Sequence, residues 1–124
     1  MNEDSVYAFY GSLRRGMKLY TTFKSALEYQ YSFWLHGYHL FALTDYPCAV
    51  KSSSPTNKIL IEVMKINDTD VAKEIFEIEI AAGYFYEDIK IKNTPVGIFL
   101  FESGANYKRV EHGDWVKFFG DRLK

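Results

Sequence analysis

Two stretches hold residues whose types and order suit chemistry. The first is Val6-Tyr7-Ala8-Phe9-Tyr10-Gly11-Ser12-Leu13-Arg14-Arg15-Gly16-Met17. It is an apolar, aromatic run that stops at a glycine, which reads as a strand ending in a turn. With no Cβ at Gly11, a bound group can approach the main chain closely. The amides after Tyr10 can then face a ligand instead of a neighbouring strand, and amides in a concave turn hold anions. A plain strand followed by an ordinary loop fits the same spacing. The second stretch is 70–82, which carries three glutamates, Glu74, Glu77 and Glu79. Val71, Ile75, Ile78 and Ala82 recur there at helical spacing, and Glu79, four residues past Ile75, borders the apolar stripe. Burial disfavours an ionised carboxylate, so a pKa raised toward the range of proton transfer is expected at Glu79. Glu74 at the edge of the stripe and Glu77 off it read as solvated surface.

The elements that must position these residues follow from periodicity. Residues 6–10 form the first strand. Residues 17–27 place Leu19, Tyr20, Phe23, Ala26 and Leu27 near helical spacing, a short helix. Residues 31–44 are apolar on both faces and read as a central strand, bent or bulged at Gly37. Asp45-Tyr46-Pro47 is a turn, 48–50 a short strand, and 51–57, with three serines and a proline, a polar loop. Residues 58–66 alternate as a strand. Residues 67–70 supply an N-cap and early acidic charge for the helix, which ends near Gly83. Residues 84–92 alternate again, Asn93-Thr94-Pro95 turns the chain, and 96–102 returns as a strand. Residues 115–119 read as a last short strand or helix. Strands dominate and helices do not alternate with them. This order gives one domain over 1–124 of class α+β: a small mixed, mostly antiparallel sheet curled into a barrel, with two packed helices.

Composition narrows the function. The chain has 124 residues, 48% hydrophobic and 18% aromatic, enough for a real core. A net charge of −1 leaves no basic field for nucleic acid or a membrane surface. One cysteine, Cys48, rules out an internal disulfide and suits a reducing compartment. The acidic, polar first residues are not a signal peptide, and no apolar run reaches the length of a membrane span. A soluble cytoplasmic protein is expected. His36 and His39, three apart on a strand, face opposite sides and make a poor metal pair; no metal or cofactor is expected. Ser12 has no histidine brought beside it by sequence, so it reads as a hydrogen-bond donor and not as a nucleophile. Arg14 and Arg15 can attract an acidic substrate, although at least one of them reads as exposed loop charge.

Tyr10-Gly11-Ser12-Leu13, after an apolar strand and before Arg14-Arg15-Gly16, resembles the opening motif of the gamma-glutamylcyclotransferase-like family. Ile75-Phe76-Glu77-Ile78-Glu79 resembles the helix end that carries that family's catalytic glutamate, and Tyr86 stands where a tyrosine opens its next strand. Weaker likenesses lie in Gly37 with Leu40 and Tyr46-Pro47-Cys48-Ala49-Val50, in 58–63 and in Gly113-Asp114-Trp115. The resemblance implies a cofactor-independent enzyme that converts a gamma-glutamyl amine or amino acid to 5-oxoproline and a free amine. It assigns Glu79 as catalytic acid/base and Tyr10, Gly11, Ser12, Leu13 and Tyr86 as substrate-binding, with a small gamma-glutamyl compound as substrate and no nucleic-acid or membrane partner. The rim that selects the leaving amine is expected in the 51–57 and 103–107 loops. Where the family often has glycine and arginine, this chain has Ile80 and Asp88. These departures keep an alternative open, a non-catalytic small-molecule-binding protein on the same fold.

Overall fold

A computed structural model describes residues 5–122. Strand β1 (Val6–Phe9) lies at the centre of a five-stranded sheet, between β5 (Lys58–Ile66) and β7 (Thr94–Leu100). β2 (Leu27–His36) and β6 (Phe85–Ile91) form its two edges, in the order β2-β5-β1-β7-β6. Only β1 and β7 run parallel; the other pairs are antiparallel. A central strand loses water on both faces, and Tyr7, Ala8 and Phe9 are all buried. In β5, Ile59, Ile61, Val63 and Met64 are shut off from solvent, each worth about 1.5–3 kcal/mol of transfer free energy.

A second sheet holds β3 (Tyr38–Ala42), β4 (Pro47–Lys51) and β8 (Lys108–Arg109), in the order β4-β3-β8. The chain crosses between sheets at Gly37, whose φ of +91° is in the region that favours glycine. This one residue overturns two expectations. The 31–44 run is not one central strand: its first part lies in the edge strand β2, and its second part, β3, is the central strand of the other sheet. The two sheets also do not close into a barrel, because β2 and β6 remain unpaired edges. The fold is α+β, with a mixed five-stranded sheet and an antiparallel three-stranded one.

Three helices, not two, accompany the sheets among the described residues: α1 (Lys18–Phe23), α2 (Thr69–Ala81) and α3 (Trp115–Arg122). A single 3-10 turn, Lys24–Ala26, leads from α1 into β2. Trp115, fully buried, anchors α3. The hairpin between β6 and β7 turns at Lys92 and Asn93, with φ of 53° and 67°, the backbone of a two-residue type I′ loop. Thr94 and Pro95 therefore belong to β7. The two-residue strand β8 has too little apolar pattern to be read from sequence.

A buried ionic cluster fixes the chain after β1. Glu62 of β5 is only 4% exposed and lies opposite Phe9. Its carboxylate accepts from Arg14 Nε at 3.1 Å, Arg15 Nε at 3.1 Å and the Arg15 amide at 2.9 Å. Arg14 also donates through Nη1 to Asp114 Oδ1 at 2.8 Å. Arg14 is thus a buried structural cation and not a lure for substrate. Removing one partner of a buried pair strands the other charge. Glu62→Ala is expected to lose about 3–5 kcal/mol of stability, read as a lowered urea midpoint.

Candidate active site

Chain continuity places two site elements against each other. β1 delivers Tyr10 and Gly11 at its exit, and a turn closed by the Arg14 amide on the Gly11 carbonyl at 2.9 Å follows. The Tyr20 amide donates to the Ser12 carbonyl at 3.0 Å and ties α1 to the same corner. These bonds use carbonyls at Gly11 and Ser12 and do not consume the Ser12 and Leu13 amides. Gly11 has a reason the sequence hid. A Cβ there would lie 2.6 Å from Pro47 Cγ, so glycine admits the Pro47 ring of the second sheet against the corner.

Helix α2 supplies the acid. Asp68 caps its start, its Oδ1 accepting from the amides of Asp70 at 2.9 Å and Val71 at 3.2 Å. At the other end the Gly83 amide donates to Ile80 and the Tyr84 amide to Glu79, both at 3.1 Å. With φ of +103° at Gly83, this is a Schellman termination. It holds Glu79 one turn before the helix end and brings Tyr84 back beside it. The inward face of α2 runs through Ala72 and Ile75, both buried, to half-buried Glu79. Ile78, expected on the apolar stripe, is instead 36% exposed. Glu79 therefore continues the buried row and does not merely border it.

Corner and helix end meet in a cavity of about 220 Å³. Ala8, Phe9, Tyr10, Gly11, Ser12 and Leu13 make one wall, and Ile78, Glu79, Ala82 and Tyr84 another. Leu19 of α1, Phe99 of β7 and the Tyr46-Pro47 turn complete it. Burial raises the Glu79 pKa to about 7. Burial also raises the Tyr84 and Tyr10 phenols, with Glu79 adding to both shifts. Neither phenol is idle. Tyr10 donates to the Phe99 carbonyl at 2.6 Å and accepts from the Ala49 amide at 3.0 Å, joining β7 to β4. Tyr84 donates to the Pro47 carbonyl.

Of the residues singled out from sequence, Tyr10, Gly11, Ser12, Leu13 and Glu79 share this cavity, and Tyr86 is not in its lining. The Tyr86 ring lies over Gly97, where a Cβ would be 2.6 Å from Cε1, and its hydroxyl donates to Asp88 at 2.6 Å. Tyr84 takes the place beside Glu79. The signal for it was Gly83: a helix closing in a Schellman turn folds the next residue back on the helix end. The 51–57 and 103–107 loops do not line the cavity either, nor do Ile80 and Asp88. Cys48 is buried, and burial pushes its thiol up to about 12.

A family model described as gamma-glutamyl cyclotransferase, AIG2-like, matches residues 7–117. The chain belongs to that family. Solved structures share the cyclotransferase-like fold. The uncharacterized protein PH0828 from Pyrococcus horikoshii is 27% identical, with a TM-score of 0.78 and 95% of each chain covered. A uropathogenic Escherichia coli-specific protein, c4763, is 19% identical, with a TM-score of 0.76 over 94% of this chain and 95% of its own. Escherichia coli ytfP is 23% identical, with a TM-score of 0.70 over 96% of this chain and 99% of its own. No curated protein matches the sequence. Among the described residues no helix is long and apolar enough to cross a membrane.

The raised acid has a measurable consequence. Glu79 rises from 4.5 to about 7 on folding, so between those values the folded state holds a proton that the unfolded chain has lost. The stability it contributes is complete below about pH 4.5 and is lost as pH rises through 7. Glu79→Gln removes this dependence. Relative to wild type the variant is expected to gain up to about 3 kcal/mol between pH 4.5 and 8, checked by paired urea titrations at the two pH values.

Proposed function

We propose that the protein is a cyclotransferase that releases 5-oxoproline from a gamma-glutamyl amide. One observation carries this reading: a carboxyl group with a pKa of about 7 shares a small apolar cavity with a glycine-broken corner. Family membership supports it. The substrate holds both reactants, an alpha-amine and a gamma-carbonyl. Folding it into a cavity of this size supplies proximity without a second molecule.

Glu79 as carboxylate takes a proton from the alpha-amine as that nitrogen attacks the gamma-carbonyl carbon. A C–N bond forms, the five-membered ring closes, and the carbonyl oxygen becomes an oxyanion. The Ser12 and Leu13 amides, with the Ser12 hydroxyl, are the donors for that oxygen or for the substrate's alpha-carboxylate. The oxyanion then collapses and the old C–N bond breaks. Glu79 returns its proton to the departing nitrogen and ends as it began. A pKa of about 7 suits a group that must both accept and donate near neutral pH. Tyr10 and Tyr84, whose hydroxyls are engaged with the main chain, act through their rings as walls. Tyr86, bonded to Asp88, acts from behind the cavity, through its ring contacts with Phe99 and Phe76.

Incubation with a panel of gamma-glutamyl amides is expected to yield 5-oxoproline and free amine in equal amounts. Glu79→Gln is expected to lower kcat about 10²–10⁴-fold while the protein stays folded. A wild-type protein that binds these compounds without turnover sinks the enzyme reading in favour of the binding protein.

A further inference from the structure

The 220 Å³ cavity is below the range of about 300–1,000 Å³ usual for drug-sized ligands. It has room for a glutamyl group but not for a large amine attached to it. Beside it runs a second, open depression of about 600 Å³. The two adjoin, with Ser12, Leu19 and Tyr46 in the lining of both. The depression extends from the corner, past Gly16 and Met17, to Val116, Phe119 and Gly120 of α3. Its side chains are mainly apolar. Its two charges, Lys18 and Asp45, are exposed and opposite in sign, so no net charge selects the occupant.

We propose that this groove is the leaving-group subsite, and that it favours gamma-glutamyl amides whose departing amine carries a large apolar group. The inference rests on the cyclotransferase reading and adds the substrate class. With the glutamyl part between Glu79 and the corner, the amide nitrogen lies toward the shared wall of Ser12, Leu19 and Tyr46. The substituent on that nitrogen then passes the shared residues into the apolar groove, over Met17 and against α3. Val116, Phe119 and Gly120 are the specificity-determining residues on that helix. When the C–N bond breaks and the nitrogen takes its proton from Glu79, the amine departs along the same groove.

Gly120 makes this testable. A Cβ built there meets no atom within 4 Å, so a larger side chain enters open groove and not packed protein. Replacing a helical glycine also favours the helix. The experiment measures kcat/KM of the full chain for gamma-glutamyl methylamide and gamma-glutamyl phenethylamide by 5-oxoproline release. Wild type is expected to prefer the phenethylamide by about tenfold or more, since each buried methylene is worth about 0.8 kcal/mol. In Gly120→Phe the ratio should fall toward one, through a raised KM for the phenethylamide. Gly120→Leu is the second variant should the first not fold, with melting temperature as the check. The inference is overturned if wild type shows no preference, or if a folded Gly120 variant keeps the wild-type ratio. If neither amide yields 5-oxoproline, the cyclotransferase reading itself falls and this inference with it.

Discussion

The site depends on the carboxylate of Glu62. It lies inside the five-stranded sheet and accepts three hydrogen bonds from two consecutive arginines. A buried ion pair seldom adds much net stability, because desolvation offsets attraction. What this one supplies is position. Arg14 and Arg15 follow directly on the corner, so holding their heads and the Arg15 amide fixes where the chain turns after β1. Asp114, on the other side of Arg14 at 2.8 Å, brings the start of α3 into the same arrangement. Strand, corner and last helix are registered by one cluster, and the cavity and its neighbouring groove are the spaces left between them.

Within that frame the second sheet closes the site. Pro47 packs against Gly11 so tightly that a methyl group would not fit. The Tyr10 hydroxyl bridges the Phe99 carbonyl and the Ala49 amide. The Tyr84 hydroxyl caps the Pro47 carbonyl. The Tyr10 and Tyr84 hydroxyls are thus turned to the main chain, which leaves their rings facing inward. A carboxyl group in such surroundings keeps its proton because ionisation there has little solvent to help it.

Much of this was legible in the sequence where one local rule sufficed. The N-cap signal in 67–70, the spacing of Val71 and Ile75 and the stop at Gly83 gave helix α2 to within a residue. The position of Glu79 four residues past Ile75 gave the acid's setting. The features that were not legible depend on partners far along the chain. Gly11 reads as room for a ligand, and only the fold brings Pro47 to it. Arg14 reads as loop charge until Glu62 and Asp114 arrive from distant segments. Residues 31–44 look like one central strand because both faces are apolar, yet Gly37 divides them between two sheets and leaves β2 at an edge. Tyr84 and Tyr86 share a strand face in sequence, and the Schellman turn alone decides which of them reaches the acid.

That turn also sets the electrical surroundings of the acid. Glu79 sits in the final turn of α2, at the negative end of the helix dipole. Burial is the main cause of its high proton affinity, and the helix terminus acts in the same direction. Burial, with the helix tail turned toward the cavity, thus keeps the acid half-protonated in neutral solution, able to receive and to give.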